Sequence, residues 1–142
     1  MKSDLEKAKS LLYKNFEYTC VLCKGDNVYK STERGVKPLI AWVDAGLDFN
    51  GFQAADRIVG KAAALLYALL GVDSVYAPVM SVAGYDILRI NGIEVDFDTL
   101  EKEIRNRTNT GICPMEEAVR EITDPSEGLS ALKQRIAQMM TK

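Results

Sequence analysis

The residues able to do chemistry in this chain are few, and most of them cluster near helix starts. Lys61 is the only charged side chain between Ile58 and Val72. Asp56 and Arg57 stand just before it, and Ser81, Ala83 and Gly84 follow a β-rich run. Cys113, Pro114, Glu116 and Glu117 form a compact string further on. Histidine is absent. That removes the commonest general base, the usual triad base and the commonest metal ligand together. Acid–base chemistry would fall to carboxylates, lysine, cysteine or tyrosine.

Each candidate has a binding reading and a plainer one. A cation in the first turn of a helix opposes the helix dipole by about 0.3–1 kcal/mol. It is tolerated where an anion binds, because backbone N–H groups and the ammonium then converge on one charge. The plainer reading of Lys61 is a side chain lying along the helix flank, or pairing with Asp56. Asp56 is read as an N-cap or salt-bridge partner, or as an acceptor for a ribose hydroxyl or base amine. Ser81, Ala83 and Gly84 would let a ligand approach the backbone, or would simply allow close helix packing.

Pro114 suits a first helical position, which makes Cys113 an N-cap. A helix start lowers a thiol pKa, but Glu116 and Glu117 oppose the thiolate. A structural cysteine is therefore the simpler reading, with a nucleophilic Cys113 or Lys61 as the alternative. Glu116 is placed to accept from backbone N–H groups or to grip a sugar hydroxyl. Cys20 and Cys23 have CxxC spacing, yet on a strand they point to opposite faces, which spoils chelation. No metal site is expected. The polar basic loop 105–111 could clamp a phosphate, and Gly35 and Lys37 could line the same cleft, though a solvated loop is the safer reading.

The elements that must position these groups follow from periodicity and punctuation. A helix over 3–15 opens with the Ser3 and Glu6 capping pattern. Strands over 18–22 and 28–32 flank a Gly25-Asp26-Asn27 turn. A short helix over 38–45 closes at Gly46. An apolar helix is expected from about Ala55 to Leu70, then a strand over 75–79 and a helix over 81–90. A strand over 93–97, helical character over 98–105 and a helix over 114–122 come next. Asp124-Pro125-Ser126 reads as a break before a last helix over 128–140.

The 142 residues fit one domain, residues 1–142, and 47% apolar content suffices for a core. A net charge of −2 argues against a general nucleic-acid binder. The longest apolar run, 62–72, is too short to span a bilayer, and the N-terminal segment lacks the apolar core of a signal peptide. Three cysteines suit a reducing compartment, so a cytoplasmic location is expected. Alternating helices and strands after a hairpin point to a three-layer α/β/α domain with a mixed sheet.

The central segment resembles the cytidine-deaminase-like superfamily. There, His-Ala-Glu opens one helix and Pro-Cys-x-x-Cys, often with Ala-Gly, opens the next. Here Lys61-Ala62-Ala63 and Pro78-Val79-Met80-Ser81-Val82-Ala83-Gly84 stand in those places. The chain is also similar to a small prokaryotic family of unknown function placed in that superfamily, through VGKAAA and ICPME. The resemblance implies the fold without its chemistry: Lys61, Val79 and Val82 replace the zinc ligands, and Ala63 replaces the proton-shuttling glutamate. Zinc hydrolysis needs three such ligands and a water. The expectation is a zinc-less domain binding a nucleotide or similar phosphorylated molecule, with no cofactor. Lys61, Ser81 and Gly84 would hold the anion, Asp56 and Glu116 would read polar groups, and Cys113 would border the site. A pure interaction module joining like subunits is a third reading.

Overall fold

The computed structural model describes residues 3–106 and 111–140. Ser3 caps α1 (Asp4–Lys14), its side chain accepting from the Glu6 N–H at 3.1 Å. β1 (Cys20–Lys24) and β2 (Asn27–Ser31) pair antiparallel, with Lys24 opposite Asn27, so Gly25 and Asp26 make the turn. α2 (Lys37–Asp44) leads to β3 (Gln53–Asp56) and β4 (Ile58–Val59). α3 (Lys61–Leu70), β5 (Ser74–Ser81), α4 (Val82–Ile90) and β6 (Glu94–Glu101) follow, then α5 (Pro114–Ala118) and α6 (Pro125–Met140).

The sheet is mixed. β1 pairs antiparallel with β2 on one side and with β3 on the other. β3, β4 and β6 all run parallel to β5. β6 follows β5 from Ser74 to Ser81, so β3 and β4 share its opposite edge, as one strand interrupted at Arg57. Helices cover both faces. α1 packs Ala8 and Leu12 on Val21, Cys23, Ala55 and Tyr76. The larger core lies on the other face, where Leu65, Leu66 and Leu88 of α3 and α4 meet Leu22, Ala54, Val75 and Ala77. Among the described residues, no helix is long and apolar enough to cross a membrane.

Three expectations are corrected. The helix expected from Ala55 begins only at Lys61, and Gln53–Asp56 is an interior strand. Its two alanines carry no β signal of their own. Ala54 and Ala55 are fully buried in opposite cores, and pairing on both edges overrides the helix preference of alanine. The helical character expected over 98–105 gives way to β6, which stays in register with β5 through Glu101. Its acidic residues lie exposed on a sheet edge, a common guard against edge pairing. The break at Asp124-Pro125-Ser126 is instead the start of α6, with Asp124 Oδ2 accepting from Glu127 N–H at 3.0 Å.

Candidate functional site

α3 starts without a side-chain cap from its own segment, because its N-cap is Gly60. The first N–H groups of a helix have no intrahelical partner. Here two of them are met from α5. Glu116 Oε1 accepts from the Lys61 N–H at 2.7 Å, and Oε2 accepts from the Ala62 N–H at 2.8 Å. The carboxylate demands the glycine: a Cβ at Gly60 would stand 2.3 Å from Oε1. α5 is itself pinned. Arg135 of α6 donates to Pro114 O at 2.9 Å and to Glu117 Oε1 at 3.2 Å, and Cys113 N–H donates to Ile104 O at 3.0 Å.

Lys61 sends its ammonium to Arg120 O at 2.9 Å, rather than to Asp56. Burial pushes the Glu116 carboxyl pKa up, against the two backbone N–H groups and the Lys61 charge, which hold it down.

α4 starts beside α3. Ser81, almost wholly buried, caps it by accepting from Gly84 N–H at 2.9 Å. A Cβ on Gly84 would lie 2.9 Å from the Gly60 carbonyl carbon and oxygen. The two helix starts therefore meet backbone to backbone. At the same end of the sheet, a groove of about 390 Å³ is lined by Ile58, Val79 and Ile104 together with two acidic and two basic side chains, Glu101, Glu103, Lys102 and Arg105.

The expected site residues fall into separate groups. Lys61 and Glu116 are joined directly, and Gly84 and Ser81 adjoin them through Gly60. Cys113 heads α5, half-buried, with no capping bond from its thiol. Asp56 has other partners: it accepts from the Tyr67 O–H at 2.7 Å and from Ile58 N–H at 3.4 Å, with Cys20 opposite it in register. Burial pushes the Asp56 carboxyl up to about 6, although Tyr67, the Ile58 and Arg57 backbone and the Arg57 charge all favour its ionised form.

Cys20 and Cys23 lie in opposite cores, as their strand spacing requires. Arg105 bonds Glu103 at 3.0 Å, Lys37 is exposed at the first position of α2, and residues 107–110 of the basic loop lie outside the described residues. Among the described residues, no group of three or more Cys, Asp or Glu is placed to hold a metal ion.

Several working side chains escaped the sequence reading. Arg57 fills the strand break and donates to Leu12 O at 2.7 Å and Tyr18 O at 2.9 Å, closing the end of α1. Tyr67 carried a signal, since a tyrosine inside an apolar helix must find a partner for its hydroxyl. Tyr13, Tyr76 and Asp98 form a hydroxyl chain across α1 and the sheet, with Lys9 Nζ 4.1 Å from the Tyr76 ring centre.

No curated protein matches this chain. The crystal structure of a DUF1893 family protein (TM1506) from Thermotoga maritima shares the fold, with a TM-score of 0.84 over 95% of this chain and 92% of that one. Sequence identity is 21%, so the likeness speaks to the fold alone. The family model described as TM1506, a domain of unknown function (DUF1893), matches residues 7–136. That span takes in the Glu116 cap and both helix starts it adjoins, and the chain belongs to the DUF1893 family.

Proposed function

We propose that this protein is a zinc-less, deaminase-like domain that binds a nucleotide or similarly phosphorylated small molecule at the start of α3. Glu116 is the internal anion that the phosphate replaces. The observation that carries this reading is the seating of both Glu116 oxygens on the Lys61 and Ala62 N–H groups. Such a pair is an anion receptor, and a phosphate presents the same oxygens to it. Exchange conserves both charge-assisted bonds. It also returns to water a carboxylate that burial disfavours.

The deaminase-like part of the reading is supported by arrangement. Lys61 and Ser81 open neighbouring helices at the carboxyl ends of parallel strands, the usual place for a ligand in an open α/β sheet. Zinc does not fit there, because Lys61, Val79 and Val82 give it no ligand set. The groove over Ile58 and Val79 is large enough for a nucleoside.

The test is calorimetric titration of wild type, Glu116→Gln and Lys61→Met with nucleoside monophosphates and with inorganic phosphate. Binding that tightens in Glu116→Gln and weakens in Lys61→Met is expected. Absence of binding in both wild type and Glu116→Gln overturns the reading. So does equal affinity in Lys61→Met.

A further inference from the structure

α5 is held on the body of the protein mainly by polar contacts. Neither this five-residue helix nor Cys113 before it contains a fully buried residue, and Met115 packs only partly buried against the main core. Val119, directly after it, is wholly buried. A shallow segment that ends on a deep anchor is of the kind that opens locally while the rest stays folded. We infer that Cys113–Ala118 is a strap that swings off the start of α3 as one unit about Val119, carrying Glu116 as its plug, with Arg135 of α6 as the latch. As a gate on the anion site this rests on the reading above; the motion itself does not.

The plug and the latch act on different atoms. Glu116 seats on the Lys61 and Ala62 N–H groups at 2.7 and 2.8 Å, against the bare backbone of Gly60, so it leaves without moving any side chain of that glycine. Arg135 grips the strap elsewhere, donating to Pro114 O at 2.9 Å and to Glu117 Oε1 at 3.2 Å. Because the stronger of these contacts is to backbone, the latch holds the segment and not the Glu116 side chain.

Three further bonds define what moves. Glu117 N–H donates to Cys113 O at 3.0 Å, which ties the strap into one turn. Cys113 N–H donates to Ile104 O at 3.0 Å, but residues 102–105 contain no buried residue either, so this tie travels with the strap. The Lys61 ammonium donates to Arg120 O at 2.9 Å, beyond Val119. Lys61 therefore stays beside the α3 start when the strap is open, next to the two N–H groups that Glu116 has left. An anion arriving there meets all three donors together.

The experiment measures amide solvent exchange by NMR in the full chain without ligand. Arg135→Met should speed exchange at Lys61 and Ala62 about fivefold, the worth of roughly one net hydrogen bond. Leu66, two turns of strap-independent packing further along α3, should be unchanged. Glu117→Gln, which removes the ion pair and keeps the Pro114 bond, should act in the same direction and less. Lys133→Met, on the same helix but bonded to Asp44, should leave Lys61 and Ala62 unchanged. Unchanged exchange in Arg135→Met overturns the inference, because Glu116 would then leave by side-chain rotation alone. Equal acceleration at Leu66, or the same effect from Lys133→Met, overturns it as well, by making Arg135 a matter of general stability. No ligand enters this test, so its failure and that of the nucleotide reading are separate.

Discussion

Glu116 Oε1 lies 2.7 Å from the backbone nitrogen of Lys61, a residue 55 positions earlier in the chain. A helix start that lacks a capping side chain of its own is thus completed by a carboxylate from a distant helix. Removing that carboxylate leaves two amides without their acceptor. Glu116→Ala should therefore cost about 1–3 kcal/mol in urea unfolding. Glu116→Gln keeps an amide oxygen and should cost less. Full stability in Glu116→Ala would mean that water caps α3 equally well.

The glycines at this junction should fail in different ways. At Gly60 an added Cβ meets the tip of a flexible side chain, the Glu116 carboxylate, at 2.3 Å. Gly60→Ala should push Glu116 out and behave like Glu116→Ala, so the two changes should not add in a double-mutant cycle. At Gly84 the Cβ meets the Gly60 backbone at 2.9 Å, which cannot swing away. Gly84→Ala should shift α4 and cost about 1–3 kcal/mol on its own account. Additive costs for Gly60→Ala and Glu116→Ala would separate the glycine from the carboxylate.

Local signals and long-range pairings differ in how far the sequence discloses them. Ser3 and Pro114 mark helix starts through their own side chains, and each stands where its chemistry placed it, whereas Ser81 opens α4 as expected but does so as a cap. Gln53–Asp56 was invisible, since nothing in QAAD prefers a strand and only its partners on both sides make it one. The site divides along the same line. Glu116 was legible as an acceptor for backbone N–H groups, but not which helix would supply them. Asp56 read as an N-cap or salt-bridge partner, but it ends β3 while Gly60 stands at the N-cap, and its bond to Tyr67 depends on α3 beginning at Lys61 instead of Ala55.

The three thiols should separate by accessibility. Cys20 and Cys23 are buried in opposite cores, and burial pushes both thiols up, aided at Cys20 by the Asp56 charge. Cys113 is half-buried at the head of α5. A thiol reagent near neutral pH should label Cys113 alone in the native protein and all three in urea. Native labelling of Cys20 at a comparable rate would contradict the packing around Asp56 and Tyr67. Mass spectrometry of tryptic peptides reads the outcome directly.

Asp56 gives the stability a definite pH dependence. Its carboxyl is pushed from an ordinary 3.8 up to about 6, first by burial, with Tyr67 and the Ile58 amide pulling the other way. Between roughly pH 4 and 6 the native state therefore holds a proton that the unfolded chain has released. Stability credited to this group is present in full below its unfolded pKa and is lost as pH rises through about 6. The slope is at most about 1.4 kcal/mol per pH unit for one proton. Glu116, raised by burial as well, acts with the same sign. Asp56→Asn removes the Asp56 share while keeping an oxygen for the Tyr67 hydroxyl. The wild-type stability minus that of Asp56→Asn, from urea unfolding, should thus decline from pH 4 to 6 and level off above. Tyr67→Phe takes away a bond that favours the ionised form, so it should move the end of that decline to higher pH. Parallel wild-type and Asp56→Asn curves across this range would mean that Asp56 ionises as freely in the fold as in the unfolded chain, and that the Tyr67 contact does not keep its carboxyl from water.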